Sequence, residues 1–305
     1  MKIRVSFPSS NLKIAGVLFV PDTYTGEPLP AVVVGHPAGG VKEQTASIYA
    51  EHLSRAGFAA LVFDAAYQGE SEGEPRYLED PFQRAEDVRA AVSFLSARSD
   101  IDPERIGGLG ICASGGYVSF AAQTDRRIKA VATVSAVDIS VLVFGGSGDD
   151  QNPELRDELL RQAGAQRNAE ARGLGSTSVS PVPALASDVP NFPPRSMFGE
   201  AYEYYRGPRG NHPNSRNWMV PRLDAFAQFA AFAHQHWISP RPLLMIVGSD
   251  ADTRGLSDAA VARAAEPKEL FEIDGASHID MYDQPEYVLP AVAKLTDFFG
   301  KHLNA

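Results

Sequence analysis

The chain has 305 residues and a single cysteine, so no disulfide can form within it. No apolar run reaches the ~18 residues that a transmembrane helix requires. Residues 1–8 alternate between polar and apolar types and lack the hydrophobic core of a signal peptide. These absences lead us to expect a soluble, cytoplasmic protein that does not enter a membrane.

Basic residues are also scarce. Lys and Arg total 28 against 38 Asp and Glu, which gives a formal net charge of −10. Because such an acidic surface repels phosphate backbones, we expect no nucleic-acid partner. The histidines and the cysteine show no metal-ligand spacing, so we expect neither a metal nor another cofactor.

Strand and helix patterns alternate along the first half of the chain. Residues 31–34 and 58–63 are apolar runs typical of strands buried on both faces. Residues 82–97 place apolar side chains at steps of three and four, which indicates an amphipathic helix. The alternation predicts an α/β fold with a mostly parallel, twisted sheet and helices on both faces.

The alternation stops after the sixth predicted strand, at residues 128–134. Residues 171–216 hold seven prolines and five glycines, too many for regular elements. We interpret 138–240 as a cap insertion between two parts of one core, residues 1–137 and 241–305, and expect helices over 153–172 and 221–235 on either side of the irregular stretch.

The most informative segment is Gly110-Ile111-Cys112-Ala113-Ser114-Gly115-Gly116, between a predicted strand and a predicted helix. It resembles the nucleophile elbow of the α/β-hydrolase family, with cysteine in the nucleophile's place. The chain reverses within a few residues there, so the positions around the nucleophile must be small. The positive end of the following helix is expected to favour a Cys112 thiolate. Ser114 remains an alternative nucleophile, because it also lies between small residues.

Two later loops resemble the remaining parts of the α/β-hydrolase triad, whose chain order is nucleophile, acid, histidine. Asp252 follows the predicted strand 243–247 and is the favoured acid, with Asp250 as the alternative. His278 follows the last predicted strand, where the catalytic histidine of the family lies. The resemblance therefore implies a triad of Cys112, His278 and Asp252.

Acyl transfer also requires hydrogen-bond donors for the developing oxyanion. The family draws one donor from the residue after the nucleophile, here Ala113. The second comes from the loop after the third strand, Gly35-His36-Pro37-Ala38-Gly39-Gly40. Because proline has no amide hydrogen, Ala38 is the expected donor rather than Pro37.

Within the superfamily, these motifs look like the branch related to dienelactone hydrolases and Xaa-Pro dipeptidyl peptidases, which includes polyketide transferases. The resemblance implies a hydrolase that acts on an ester, lactone or thioester of a small molecule. An acyltransferase of the same fold and a catalytically silent scaffold are the alternatives, and a homodimer is possible. The residues that we expect to bind substrate are His36, Tyr67, Tyr205, Arg206 and Trp218.

Overall fold

The structure is a computed structural model that describes residues 1–146, 151–215 and 217–304. Its strands form a main sheet of eight and a short separate pair, β5 and β8. In chain order they are β1 (Lys2–Ser9), β2 (Leu12–Phe19), β3 (Leu29–Gly35), β4 (Ala59–Phe63), β5 (Leu78–Glu79), β6 (Ile101–Ile111), β7 (Ile128–Val134), β8 (Val220–Pro221), β9 (Leu243–Gly248) and β10 (Lys268–Ile273).

The main sheet has the order β1-β2-β4-β3-β6-β7-β9-β10. The pairings of β1 with β2 and of β2 with β4 are antiparallel, and every other pairing in this sheet is parallel. Gly35 at the end of β3 pairs with Gly110, and Ile111 at the end of β6 pairs with Val134. Because parallel strands end at one edge of a sheet, the loops that carry the candidate residues meet there.

The helices of the described chain are α1 (Thr45–Arg55), α2 (Pro81–Ser96), α3 (Ser114–Thr124), α4 (Ile139–Phe144), α5 (Pro153–Ala171), α6 (Met197–Arg206), α7 (Leu223–Gln228), α8 (Arg254–Arg263), α9 (Asp280–Asp283) and α10 (Pro285–Leu303). A Cβ added at Gly107 would meet Phe299 of α10, whereas one at Gly108 would meet Val118 of α3. Neighbouring strand residues point to opposite faces, so these two helices cover opposite faces of the sheet. The predicted α/β architecture, with its mostly parallel sheet, is confirmed.

The segment 138–240 departs from its prediction in two places. Helix α6 forms inside the stretch that was expected to be irregular. Its N-terminus is capped by the Ser196 hydroxyl, which accepts a hydrogen bond from the Gly199 amide at 3.1 Å. The helix expected over 221–235 is shorter, since α7 ends at Gln228. The division into core and cap stays a prediction.

Among the described residues, no helix combines the length and the apolar character that crossing a bilayer demands.

The tight turn after β6 gives a first prediction. A Cβ at Gly110 would overlap the backbone carbonyl of Ser114. We expect Gly110→Ala to lower the free energy of unfolding by about 3 kcal/mol, since the backbone of the turn cannot move aside. Urea denaturation followed by circular dichroism measures the change.

Gly164→Ala in α5 is the matched control, because nothing lies within 4 Å of a Cβ placed there. This second variant should gain about 0.5–1 kcal/mol from the better helix propensity of alanine. Equal stability of the two variants would show that the turn is not sterically constrained.

Candidate active site

Cys112 lies at the junction of β6 and α3, in a backbone conformation that L-residues seldom adopt. Its φ is 56°, in the left-handed region. The turn admits this conformation only because its neighbours are small: a Cβ on Gly115 would lie 2.6 Å from the Cβ of Ala136. The strained turn that the sequence predicted is therefore present, and it lifts Cys112 above the end of the sheet.

Ser114, the alternative nucleophile, is held in a different set of contacts. Its hydroxyl donates to the His36 carbonyl at 2.6 Å and accepts from the Arg84 guanidinium at 3.1 Å. Cys112, in contrast, borders a cavity of about 160 Å³, of which Ser114 is not a lining residue. The geometry favours Cys112 as the nucleophile.

The two residues predicted to stabilise an oxyanion lie beside the thiol. Ala38 and Ala113 both line the cavity together with Cys112. Within the described part of the chain, neither amide is bonded to a backbone carbonyl. The role of Ala38 and Ala113 as donors to an oxyanion stays a prediction.

His278 is completely buried, and a tyrosine stands between it and the cysteine. The Tyr282 hydroxyl lies 3.1 Å from His278 Nε2. The same hydroxyl is close enough to Cys112 to lower the pKa of the thiol, although burial outweighs it. On the other side of the ring, Thr253 Oγ1 lies 2.6 Å from His278 Nδ1. Tyr282 therefore lies beside the imidazole and shares a cavity wall with the thiol, while Thr253 lies on the far side of the His278 ring.

The hydrogen bond expected between Asp252 and His278 is not formed. Both carboxylate oxygens of Asp252 accept from the Met197 amide, at 3.0 and 3.1 Å, where α6 begins. Asp250 is exposed and faces Arg195 at 3.5 Å. Along this loop Ala251 and Thr253 are buried while both aspartates point outward. The two turns of this loop thus bring the hydroxyl of Thr253, rather than a carboxylate, to the histidine.

Burial also reverses the expected charge state of the site. It raises the pKa of Cys112 to about 11, despite the hydroxyl of Tyr282 and the amide of Ala113 nearby. It lowers the pKa of His278 to about 3, and no counter-charge offsets this effect. The resting site therefore holds a neutral thiol and a neutral imidazole, and the prediction of a helix-stabilised thiolate is wrong for this state.

A buried guanidinium connects the loop after β3 to the elbow. Arg84 donates from Nη2 to the His36 carbonyl at 2.6 Å as well as to Ser114. Its Nε lies 3.4 Å from Glu79, whose carboxylate also accepts from the Tyr117 hydroxyl at 2.9 Å. These contacts hold the Ala38 and Ala113 segments at a set distance from each other.

His36 belongs to this network and does not face the cavity, so its predicted role in substrate binding is wrong. The Ala65 amide donates to its Nε2 at 3.1 Å. Nδ1 must then carry the proton, which it donates to the Pro37 carbonyl at 2.7 Å. Burial, helped by the Arg84 charge, keeps the pKa of His36 well below its usual value.

Of the other residues predicted to bind substrate, Tyr205 alone lines the cavity. The side chain of Tyr67 packs over Gly73 instead. Arg206 donates to the Ser180 hydroxyl at 2.8 Å. Trp218 is 44% exposed, and its neighbour Met219 takes the place on the cavity wall.

One cluster of carboxylates has the spacing of a cation site. Oxygen atoms of Glu43, Asp64 and Glu70 lie within 4.8 Å of one another. The ammonium of Lys42 is 2.6 to 2.7 Å from all three. A cation of the chain itself therefore occupies this position, and the absence of a metal from the protein stays a prediction.

Comparison with known proteins now assigns the family. Residues 11–174, more than half of the chain, match the family model described as X-Pro dipeptidyl-peptidase (S15 family). The chain belongs to the S15 family. The matched segment includes Ala38, Arg84 and Cys112 but ends before Thr253 and His278.

Several relatives resemble the chain over much of its length. The crystal structure of the hypothetical protein PA2218 from Pseudomonas aeruginosa is 35% identical, covers 99% of this chain and 94% of that one, and has a TM-score of 0.89. The α/β-hydrolase GrgF from Penicillium sp. sh18 is 21% identical over the whole of both chains, with a TM-score of 0.79, and shows the fold. Thiohydrolase aneE from Aspergillus aculeatus is 31% identical over 57% of this chain and 52% of its own. The chain thus has a hydrolase-like α/β fold.

Three residues of the site escaped the sequence analysis: Arg84, Thr253 and Tyr282. Tyr282 follows His278 by four residues, a spacing that brings side chains together on one helical turn, and this signal was available. Thr253 and Arg84 had no such signal, because their partners come from distant loops.

The buried, neutral thiol yields a second prediction. Without substrate, we expect Cys112 to react with iodoacetamide more slowly than a free cysteine at pH 8, since only the thiolate is nucleophilic. The rate should continue to rise towards pH 11, because the pKa of Cys112 is raised to about that value. As Cys112 is the only cysteine, mass spectrometry of the intact protein reports its modification alone.

N-Acetylcysteine under the same conditions is the reference, with a pKa near the usual ~8.5. A plateau for the protein at or below pH 9 would contradict the neutral resting state.

Proposed function

We propose that the protein is a hydrolase that forms an acyl-enzyme on Cys112 and acts on an ester, lactone or thioester. One observation carries the proposal: a cysteine in a left-handed turn borders a cavity whose wall also holds Tyr282, and the Tyr282 hydroxyl contacts a buried histidine. The similarity to a protein named thiohydrolase supports the same chemistry.

In the first step, Tyr282 passes the proton of the thiol to the histidine. The Cys112 proton moves to the Tyr282 oxygen as the Tyr282 hydroxyl proton moves to His278 Nε2. The sulfur then forms a bond to the carbonyl carbon, and the carbonyl electron pair moves onto oxygen. The Ala38 and Ala113 amides donate to that oxyanion, each contributing on the order of 10²–10³ in rate.

In the second step, the carbonyl re-forms and the bond to the leaving alcohol or thiol breaks. The leaving group takes the proton back from His278 through Tyr282. Water then attacks the thioester and gives its proton to the histidine by the same path, which releases the acid and restores the thiol. Thr253 accepts a hydrogen bond from Nδ1–H and so leaves Nε2 free to act as the base.

Acyl transfer is the second candidate, because the cavity beside Cys112 has few polar atoms to hold water. The acyl-enzyme would then be released by an alcohol or amine instead of water. Added butanol distinguishes the two: formation of a butyl ester at the expense of the free acid supports transfer.

The choice of nucleophile gives the third prediction. We expect Cys112→Ala to abolish hydrolysis of p-nitrophenyl butyrate, because no acyl-enzyme can form. Ser114→Ala should lower activity by no more than about tenfold, since it removes one Arg84 contact but leaves the bond from Arg84 to the His36 carbonyl. Release of p-nitrophenol, followed at 405 nm, measures both.

A catalytically silent scaffold would also have a thiol that is slow to alkylate, so the alkylation rate does not distinguish it from an enzyme. Ester turnover by the unaltered protein and by the Cys112→Ala and Ser114→Ala variants does. Activity that survives Cys112→Ala but disappears in Ser114→Ala would assign the nucleophile to the serine. If the unaltered protein hydrolyses neither an ester, a lactone nor a thioester, the scaffold is favoured.

The position of Tyr282 gives the fourth prediction. Tyr282→Phe removes the hydroxyl between the thiol and the imidazole and keeps the ring. We expect kcat to fall by about 10²-fold or more, because the proton path is interrupted, with a much smaller change in KM.

Tyr204→Phe is the control, because it removes a buried hydroxyl that is bonded to the Thr45 amide, keeps the ring against Tyr282, and leaves the contact between Tyr282 and His278 in place. A Tyr282→Phe enzyme with full kcat would show that His278 reaches the thiol directly during turnover.

A further inference from the structure

We propose that the cavity beside Cys112 is a pocket for an unbranched, uncharged acyl chain of about six carbons. The inference rests on the proposed function, since it names the class of substrate that the acyl-enzyme site takes.

Hydrocarbon forms most of the cavity wall. The polar side chains on the wall are the Cys112 thiol and the hydroxyls of Tyr205 and Tyr282, all close to the site of reaction. The other side chains of the wall are apolar and include Ile139, Leu142, Val143, Val182, Phe198 and Met219. Such a surface binds an alkyl chain by excluding water, at a gain that scales with the area buried.

Charged side chains of this segment make contacts outside the cavity wall. Arg206 donates from Nη2 to Ser180, although its buried Nε has no partner among the described residues, and the Arg209 guanidinium is paired with Asp283 at 2.6 Å. On the same helix, Glu200 accepts from the Ser277 hydroxyl. Among the described lining residues none carries a charge. A carboxylate at the far end of the acyl chain would therefore be desolvated without a partner, which is strongly unfavourable.

The size of the cavity limits the length of the chain. Its volume is about 160 Å³. An apolar cavity of about 150 Å³ takes up a molecule as large as benzene, which has six carbons. A hexanoyl chain thus fills this pocket, and a longer chain must leave it or displace its walls.

The position of Ala201 allows the pocket to be shortened by one substitution. Ala201 lies on α6, lines the cavity and is 2% exposed. A larger side chain at this position would occupy the space that we assign to the end of the acyl chain. Glu203, two residues further along α6, is exposed and faces away from the cavity.

The test is a series of p-nitrophenyl esters with acyl chains of two, four, six, eight and twelve carbons. We expect kcat/KM to rise about fourfold for each added methylene up to six carbons, which corresponds to about 0.8 kcal/mol per methylene. It should then level off or fall. The p-nitrophenyl monoester of adipic acid, with six carbons and a terminal carboxylate, should be at least 100-fold poorer than the hexanoate.

Two variants test the pocket itself. Ala201→Leu should lower kcat/KM for the hexanoate at least tenfold and leave the acetate within threefold. Glu203→Leu adds the same side chain outside the cavity and should leave the whole series unchanged. A series independent of chain length, or a preference for the adipate monoester, would overturn the inference while Cys112-dependent turnover would still support the proposed function.

Binding of straight-chain alcohols gives a readout that needs no turnover. Isothermal titration calorimetry with 1-propanol and 1-hexanol should show tighter binding of hexanol to the unaltered protein, and loss of that preference in Ala201→Leu. If no ester is hydrolysed, the calorimetry still tests the pocket. Equal affinity for the two alcohols would overturn the inference of an alkyl-chain pocket. Tighter binding of hexanol would support the pocket even though the proposed hydrolysis had failed.

Discussion

The candidate site depends on one buried interaction, the bonds from the Arg84 guanidinium to the His36 carbonyl and the Ser114 hydroxyl. The first partner belongs to the loop after β3 and the second to the first turn of α3. An arginine presents several donors in a rigid plane, so it fixes two backbone segments together more firmly than a single-point contact. Glu79 balances its charge within the interior, where an unpaired cation would be very costly. The two amides that face the cavity are thereby positioned before any ligand arrives.

Burial in the same interior explains why the Cys112 thiol and the His278 imidazole are both uncharged in the absence of substrate. Desolvation disfavours both the thiolate and the imidazolium, and the carboxylate that normally stabilises the latter is turned away. In the proposed reaction, charge therefore appears together with the bond to substrate, when the Ala38 and Ala113 amides gain an acceptor. Tyr282 suits the proposed proton path, because a hydroxyl both donates and accepts a proton and so transmits it without carrying a charge.

Sequence patterns predicted the parts of the molecule that depend on local sterics. The small residues around Cys112, the β-branched runs of β3 and β4 and the amphipathic pattern of α2 each determine their own backbone. The order of the loops likewise pointed to His278. The identity of its Nδ1 partner could not be predicted in this way, because the turns of the loop after β9 decide whether Asp252 or its neighbour Thr253 faces the histidine. Helix α6 was missed because prolines surround it, and contact between Asp252 and Met197 from a distant loop supports its first turn.

Two parts of the chain form the cavity wall, one close to the proposed reacting groups and one that contacts the rest of a substrate. Cys112, Ala113 and Tyr282 come from the sheet and its loops, whereas Val182, Ala201 and Met219 come from the segment between β7 and β9. Residues 11–174, which match the S15 family, include Cys112 and Ala113 but end before Val182, Ala201 and Met219. Substitutions in the second part of the wall can therefore change which substrates fit the cavity without moving Cys112, Ala113 or Tyr282. Related proteins can keep the residues around Cys112 and still act on unrelated metabolites. Sequence similarity over residues 11–174 therefore does not identify the substrate.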